Sequence, residues 1–547
     1  MPSLKNRIRA LLVRYWANAG SLSVAAAMVC CISLEEIWLH AGTYSPYSDY
    51  WEHAAVLHAL IKDPWHPANP HLASSASSPR FGPITVLNAL FARAFGLDAQ
   101  GGLRLAAVAY TCLFMLGIWQ FFREYFQDER AGLYGLLVML GSWWEAWTFA
   151  SIYQPKVLLS VACYPWLAAL GLTLLGLAFA VRVLRGDSKP AELAPDTPRP
   201  LALGVLVTGV AVVLLTHQLT AVMALSALLL LALTLPAVPA RRRAWVCGTV
   251  AAGCLLASFW PYFSVWQVLS GGHSDAGWVS QGVHAAVTGT LVVERHRFYN
   301  LPDLASALGL ALVGVLALPY FLLSRRRLFV GLGALSMLLP FGINAFVPLP
   351  LGHRFLLLGV FFLQVGVVWL LLTLTPGSAE YPRVLETPWR RRGSLAVVWL
   401  VLLIFGLHNV ERTRKEWAYF GRYADRGPSI YVRYARAVAQ IAGEHAVVLG
   451  DALTLWPIPT FGPKVVALKH ENPLVPDADE RQFTVDRFLA GDTPDDERIA
   501  LLRRYAVTHV ILNRDERGSV TRFLAVYARS DRLPAGYSLY TLSLPAP

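Results

Sequence analysis

The stretch Tyr47-Ser-Asp-Tyr-Trp-Glu-His53 places two carboxylates, three aromatic rings and an imidazole within seven residues. It follows the first long apolar segment, residues 21–42, and a run rich in proline and histidine comes after it. Aromatic and polar side chains gather in this way where a membrane-embedded chain emerges into water. The pattern predicts that the stretch lies at a boundary between water and membrane.

The composition is that of a membrane protein. The chain has 547 residues, of which 55% are hydrophobic and 15% charged, whereas a soluble protein carries about 25% charged residues. Apolar runs of about 18 or more residues recur along most of the chain. We therefore predict a polytopic α-helical membrane protein with about eleven transmembrane helices.

The basic residues predict the orientation of the chain. The net charge is +12, and much of the excess lies in three arginine triplets, at 241–243, 325–327 and 390–392, between apolar segments. Such runs mark cytoplasmic loops, so they indicate membrane lipid, and no nucleic acid, as a partner. They also predict a cytoplasmic N-terminus. A cleaved signal peptide is the rival interpretation of the N-terminal residues, because a basic segment followed by an apolar one is typical of both.

The apolar segment Ile84–Phe95 affects this topology. It has about a dozen residues and is short for a span, so we expect a re-entrant or interfacial helix. A full span is the alternative, but it would turn every arginine triplet to the outside.

We predict that the chain divides into a transmembrane module, 1–410, and a C-terminal α/β domain, 411–547. The module contains a long first outside loop, 43–102, and the domain is expected on the same outer side. Its predicted strands are Val447–Leu449, Val465–Leu468, Val510–Leu512 and Tyr537–Leu542, and its predicted helices are Tyr431–Ala442 and Asp495–Tyr505. The predicted spans after the first loop begin at Leu103, Ala131, Val157, Leu201, Leu219, Ala244, Leu304, Leu328, Phe355 and Leu395.

Two outside loops carry candidate catalytic acids. Asp49 could accept a proton from an attacking hydroxyl, and on a helix it would share one face with Glu52 and His53. The alternative is a capping box, with Asp49 at the N-cap and Glu52 at the third helical position. Glu145 follows the span that begins at Ala131, where an acid could position a base, an acceptor or a cation, or could simply face water.

Several cations fall at the outer ends of predicted spans and could hold a phosphate group. The alternative is that they extend to lipid headgroups. These candidates are Arg354, Lys156, His217, His353 and Arg80.

The sequence contains no motif that identifies a cofactor. His53, His58, His66 and His71 share the first loop and leave a divalent metal open, but their spacing fits no zinc template. The chain lacks GxxxxGK followed by Ser or Thr, GxGxxG after a strand, and GxSxG. These absences argue against nucleotide-driven transport and hydrolase-type nucleophiles.

Taken together, the early Ser48-Asp49-Tyr50, the acid in the second outside loop, the many spans and the outer C-terminal domain resemble the GT-C superfamily of integral-membrane glycosyltransferases. Thr216–Ala221 and Gly352–Phe355 resemble features of bacterial polyprenyl-phosphate sugar transferases. The resemblance covers the topology of the whole chain. Asp49 would match the first-loop catalytic acid, and Glu145 would match the second-loop acid by position alone.

The resemblance implies an inverting glycosyltransferase of the bacterial inner membrane, with its C-terminal domain in the periplasm. The donor would be a polyprenyl-phosphate-linked monosaccharide, and the acceptor a cell-envelope glycan, lipid or protein. The motif Trp-Trp-Asp-Tyr-Gly of oligosaccharyltransferases is absent, which weakens transfer of a preassembled glycan to asparagine. The rivals are an O-antigen-type polymerase or ligase and a non-enzymatic lipid or solute transporter.

Overall fold

The computed structural model describes residues 43, 48–143, 153, 158, 161–186, 200–270, 301–346, 354–424, 427–467, 472–513 and 518–545. They belong to two compact units. The first contains the described residues within 108–259 and 301–419, and the second those within 43–107, 260–270 and 420–545. The predicted first span, residues 21–42, lies outside the described residues.

Helices make up most of the described chain. In chain order they are α1 (Tyr50–Lys62), α2 (Pro83–Ala94), α3 (Ala99–Phe126), α4 (Glu129–Gly141), α5 (Pro165–Arg185), α6 (Pro200–Thr216), α7 (Gln218–Thr234), α8 (Ala240–Ala257), α9 (Val265–Ser270), α10 (Leu301–Leu308), α11 (Ala311–Leu316), α12 (Leu318–Leu323), α13 (Leu328–Asn344), α14 (Phe355–Thr373), α15 (Pro388–Ala424), α16 (Ile430–Ala442), α17 (Ala452–Leu455), α18 (Ala478–Leu489), α19 (Asp495–Arg504) and α20 (Ser519–Tyr527).

Among the described residues, four helices are long and apolar enough to cross a membrane: α3, α5, α14 and the Pro388–His408 part of α15. Helices α6, α7 and α13 are apolar but shorter. Each of these helices overlaps a predicted span. The predicted spans that begin at Leu201 and Leu219 form a tight hairpin, because α6 ends at Thr216 and α7 begins at Gln218. The chain is therefore a helical membrane protein.

The span predicted over Leu304–Leu323 is wrong in form, because three short helices, α10 to α12, occupy this region. Gly309 between the first two has a φ of +51°, a left-handed conformation that glycine adopts without steric cost. Pro319 lies at the start of α12 and has no amide hydrogen for a continuous helix. The break places the Leu310 amide where it donates to the Ser142 carbonyl at 2.8 Å.

Gln364 lies at the centre of a buried polar network in the first unit. Its side chain, 0% exposed, accepts from the Tyr153 hydroxyl at 2.6 Å and donates to Ser142 Oγ at 2.9 Å. Buried polar groups in an apolar helix need such partners, because an unmade hydrogen bond there costs more than a made one contributes. The network ties Ser142 and Tyr153, which lie before and after Glu145 in the sequence, to one residue of α14.

Replacing Tyr153 by phenylalanine is expected to lower the free energy of unfolding by about 1–3 kcal/mol, because Gln364 Oε1 loses its short hydrogen bond in a buried site. Thermal unfolding of the purified chain in detergent measures the loss. Tyr134→Phe is the matched control. The Tyr134 hydroxyl is bonded to Thr375 Oγ1, which also donates to the Leu371 carbonyl at 2.7 Å and so keeps a partner. Equal losses in the two variants would contradict the prediction.

In the second unit, α1 and α2 pack against each other. Helix α2 has 12 residues and so rises by about 18 Å, short of the about 30 Å of a bilayer core. Leu87, Phe91 and Phe95 follow one another at intervals of four, and each is at least 50% exposed. A short helix with an exposed apolar stripe is typical of the membrane interface, which favours the interfacial interpretation of this segment over a full span.

The C-terminal part of the second unit contains a five-stranded sheet in the order β2-β1-β3-β5-β4. The strands are β1 (Val447–Leu449), β2 (Lys464–Val465), β3 (His509–Leu512), β4 (Ala528–Arg532) and β5 (Ser538–Leu542). Strands β1, β2 and β3 are parallel, and β5 pairs antiparallel with β3 and β4. The four predicted strands are confirmed, with shorter bounds for the second, while β4 was not predicted.

Both faces of this sheet are covered. On one face, Ile511 packs in a cluster with Tyr434 and Val438 of α16. On the other face, Val510 and Leu512 pack with Phe488 of α18 and Phe523 of α20. Burial on both faces explains the continuous apolar runs of the parallel strands. Helix α15 extends well past residue 410, to Ala424.

Candidate functional site

Asp49 occupies the N-cap of α1, in the second unit. It is half-buried, and its carbonyl accepts from the His53 amide at 3.1 Å. Its side chain makes no capping hydrogen bond, and its backbone is helical, with φ −66° and ψ −4°. Asp49 therefore occupies the N-cap position, but its carboxylate does not form the capping hydrogen bond of a capping box.

Glu52 and Arg80 form an ion pair with two parallel hydrogen bonds. Arg80 Nε donates to Glu52 Oε1 at 2.9 Å, and a terminal guanidinium nitrogen of Arg80 donates to Oε2 at 3.0 Å. The Glu52 side chain is 11% exposed and that of Arg80 41% exposed. This fork geometry is a strong form of charge-assisted hydrogen bond. It ties α1 to the turn that precedes α2 and engages both carboxylate oxygens of Glu52.

His53 is buried in the first turn of α1, next to Glu52. Asp49, Glu52, His53 and Arg80 thus belong to one unit and lie near the start of one helix. The sequence predicted this grouping for the first three residues. It did not predict the pairing of Glu52 with Arg80, because no local periodicity connects residues 28 positions apart.

The C-terminal part of the same unit contacts the start of α1. The Trp456 indole Nε1–H donates to the Ser48 carbonyl at 2.9 Å, and the Thr460 hydroxyl donates to the Trp51 carbonyl at 3.4 Å. Both donors come from the segment between β1 and β2. Sequence reasoning missed these residues, although a tryptophan inside a polar domain is a recognisable signal, since a buried indole N–H usually finds an acceptor.

The rest of the first loop is joined to the edge of the sheet. The Val465 amide donates to the His71 carbonyl at 2.8 Å, and Leu72 forms a parallel bridge with Val465. The Lys464 ammonium donates to the Asn69 carbonyl at 2.7 Å, and the Asn472 side chain donates to the Ser77 carbonyl at 2.9 Å. The loop thereby covers the edge strand β2, whose backbone groups would otherwise be open to pairing.

Lys464 lies in a partly buried cluster with His58, Lys62 and Glu444, in which several pKa values are lowered. Burial, and then the positive charge of Lys62, lower the pKa of Lys464 to about 8. Burial and Lys464 also lower the pKa of His58, while the contact with Lys62 lowers the pKa of Glu444. Burial disfavours the charged form of a lysine or histidine, so the charged form of Lys464 carries an electrostatic cost at neutral pH, whereas the contact with Lys62 stabilises the charged form of Glu444.

This cost predicts a pH dependence of stability. Because the folded-state pKa of Lys464 is about 8 and its ordinary value is 10.5, the unfolded chain binds more protons between these values. Stability contributed through Lys464 therefore rises as the pH increases through this window. The stability of the wild type relative to Lys464→Met should increase between pH 7 and pH 10 in thermal unfolding. A constant difference between the two proteins would contradict the prediction.

Two of the predicted phosphate-binding residues lie at helix N-termini of the first unit. His217 is the N-cap of α7, where its Nδ1 accepts from the Thr220 amide at 3.2 Å. Arg354 is the N-cap residue of α14. Helix N-termini favour negatively charged groups. Glu145, Lys156 and His353 lie outside the described residues.

Within the part of the chain that the structure describes, no group of three or more His, Cys, Asp and Glu side chains could hold a metal ion. The divalent metal that the sequence left open therefore has no candidate ligand set among these residues.

No protein-family model matches the chain, and no curated protein matches its sequence. Solved structures match its fold. Archaeal oligosaccharyltransferase AglB from Archaeoglobus fulgidus, in complex with an inhibitory peptide and a dolichol-phosphate, matches 97% of this chain and 75% of its own, with a TM-score of 0.52 at 12% identity.

Two bacterial proteins have a similar fold. The match to ArnT from Cupriavidus metallidurans in the apo state covers 97% of this chain and 100% of ArnT, with a TM-score of 0.54 at 15% identity. The match to arabinofuranosyltransferase AftD from Mycobacteria covers 96% of this chain and 42% of AftD, with a TM-score of 0.53 at 14% identity.

These neighbours are membrane glycosyltransferases of one structural class. The chain has the fold of the GT-C superfamily, as its sequence predicted. At this level of identity the likeness defines the fold.

Proposed function

We propose that the chain is a membrane glycosyltransferase that moves a monosaccharide from a polyprenyl-phosphate donor to a hydroxyl group of a cell-envelope acceptor. The observation that carries the proposal is the placement of Asp49. In a GT-C fold, this half-buried acid stands at the start of a first-loop helix whose backbone is held by hydrogen bonds from Trp456 and Thr460.

In the proposed reaction, Asp49 is the general base. The acceptor oxygen attacks the anomeric carbon and forms the new glycosidic bond while its proton passes to the Asp49 carboxylate. The bond between the anomeric carbon and the phosphate oxygen breaks on the opposite face, so the configuration inverts. The polyprenyl phosphate leaves with the electron pair of that bond.

Glu52 is a weaker candidate for this role than Asp49. A carboxylate that accepts two hydrogen bonds from a guanidinium is stabilised in its charged form and is a poorer proton acceptor. We therefore assign Glu52 and Arg80 to holding α1, and His53 to packing within it. Arg80 is left out of the donor-phosphate site that its sequence position predicted.

Positive charge is required where the leaving phosphate develops its second charge. His217 and Arg354 are proposed for this role because both stand at helix N-termini. Lys156 and His353 remain sequence predictions for the same role, as Glu145 does for the second-loop acid. A dolichol-phosphate in one structural neighbour supports a lipid phosphate as carrier. The GT-C fold supports a membrane location, which we propose is the bacterial inner membrane with the C-terminal domain in the periplasm.

Transfer from defined lipid donors tests the proposal. The full-length chain in proteoliposomes would be given undecaprenyl phosphate carrying radiolabelled mannose, glucose, galactose or arabinose, with an envelope extract as acceptor. Label is expected to pass from one of these monophosphate donors into the extract. Transfer only from an undecaprenyl-diphosphate oligosaccharide would favour a polymerase or ligase, and donor movement across the bilayer without transfer would favour a transporter.

A further inference from the structure

The indole of Trp456 contacts the backbone immediately before Asp49. Its Nε1–H donates to the Ser48 carbonyl at 2.9 Å across a sequence separation of 408 residues. The tryptophan is 2% exposed, so this hydrogen bond is sheltered from competing water. It connects the C-terminal α/β fold to the residue that precedes the proposed base.

We propose that Trp456 is a positioning residue for Asp49, an inference that rests on the proposed function. The Ser48 carbonyl and the Asp49 amide belong to the same planar peptide unit. A donor that fixes the direction of this carbonyl also fixes the plane from which Asp49 continues. The same carbonyl accepts from the Trp51 amide at 3.4 Å, so the indole and the first turn of α1 share one acceptor.

A second hydrogen bond acts on the same turn. The Thr460 hydroxyl donates to the Trp51 carbonyl at 3.4 Å, and Thr460 is buried. Trp456 and Thr460 therefore hold the backbone on both sides of Asp49 and Tyr50. With two anchors from one segment, the start of α1 is restrained against rotation as well as translation.

The segment that carries Trp456 is itself rigidly held. After β1, Gly450 approaches Ile511 so closely that a Cβ would lie 2.8 Å from the Ile511 carbonyl oxygen. Asp451 then caps α17 by accepting from the Leu453 and Thr454 amides. The Tyr434 hydroxyl donates to the Thr454 carbonyl at 2.8 Å.

The Trp456 ring is also packed on its face. The His71 ring stacks against it, with 6.0 Å between the centroids and 10° between the planes. The indole is therefore preorganised before it meets Ser48. An arrangement of this kind suits a catalytic group, because small displacements of a general base cost much of its rate.

The assignment changes the role of the C-terminal α/β fold. The sequence predicted an α/β domain there and assigned it no role in the first loop. The contacts of Trp456, Thr460 and Lys464 with the first loop assign it to bracing the loop that carries the proposed base.

The test compares Trp456→Phe with Asn472→Ala. The phenylalanine keeps an aromatic ring but removes the N–H donor. Asn472→Ala removes a hydrogen bond of the same length, 2.9 Å, from the same part of the chain to the same loop, at Ser77, together with a local bond from the Leu474 amide to Asn472 Oδ1. Amide hydrogen exchange at Trp51 and His53 reports the order of the first turn of α1. The rate of label transfer from the radiolabelled undecaprenyl-phosphate donors reports function.

In Trp456→Phe, exchange at Trp51 and His53 is expected to become about tenfold faster. The kcat is expected to fall about tenfold, with KM for the donor within about twofold of wild type. In Asn472→Ala, the exchange rates at Trp51 and His53 and the kcat should stay within about twofold of the wild type. If Trp456→Phe does not fold, Thr460→Val removes the second anchor with a side chain of the same shape and is expected to show the same pattern.

Unchanged exchange in Trp456→Phe would overturn the inference, and so would faster exchange with an unchanged kcat. Losses of kcat that follow thermal stability equally in Trp456→Phe and Asn472→Ala would reduce Trp456 to a structural role. A wild-type protein that transfers none of the labelled sugars would overturn the proposed function instead. The exchange measurement would still decide whether Trp456 orders the start of α1.

Discussion

Asp49→Asn is expected to lower kcat about 10²–10⁴-fold, the range that a positioned general base contributes. The amide has the shape of the carboxylate but cannot take up the acceptor proton. Stability should change little, because asparagine is isosteric with aspartate and retains an oxygen acceptor at the same position. Transfer of label in proteoliposomes and thermal unfolding measure the two effects separately.

The opposite end of the same helix provides the control. Asp63 is the C-cap of α1, and its Oδ1 accepts from the Trp65 and His66 amides at 3.0 Å. Asp63→Asn retains an oxygen acceptor there and should leave kcat within about twofold of the wild type, as expected for a residue away from the chemistry. Retained transfer in Asp49→Asn would eliminate the mechanism. Loss confined to arginine variants would favour a polymerase or ligase.

The ion pair between Glu52 and Arg80 is expected to show an asymmetric cost. Arg80→Met should lower the free energy of unfolding by about 2 kcal/mol, between the values typical of exposed and buried pairs. It takes two hydrogen bonds from a carboxylate that is only 11% exposed. Glu52→Gln should cost about 1 kcal/mol, because the Arg80 guanidinium is 41% exposed and can be hydrated.

The order of the two losses tests this argument, and chemical denaturation in detergent provides the measurement. The double variant Glu52→Gln with Arg80→Met should be more stable than Arg80→Met alone, since it removes the poorly solvated charge. A double variant whose loss equals the sum of the two single losses would show that the groups do not interact. The double variant should lower kcat more than the control Asp63→Asn does, because the ion pair between Glu52 and Arg80 holds α1.

The helices of the first unit were largely predictable, because apolar runs of sufficient length have one stable arrangement in a bilayer. The exception is Leu304–Leu323, where Gly309 and Pro319 divide one apolar run into three short helices. Strand β4, Ala-Arg-Ser-Asp-Arg, was missed because its sequence has no strand propensity. It is extended because it pairs along its whole length with β5.

The sequence alone determined the helical membrane class and the acid-containing stretch at the start of helix α1. Composition, charge and local spacing encode these features, and each depends on neighbours within a few turns of chain. Only the tertiary structure decided that Glu52 is bound by Arg80, and that Trp456 holds Ser48 from 408 residues away. Such contacts depend on how distant segments meet in space, and the sequence periodicity that predicts a helix carries no information about its partners.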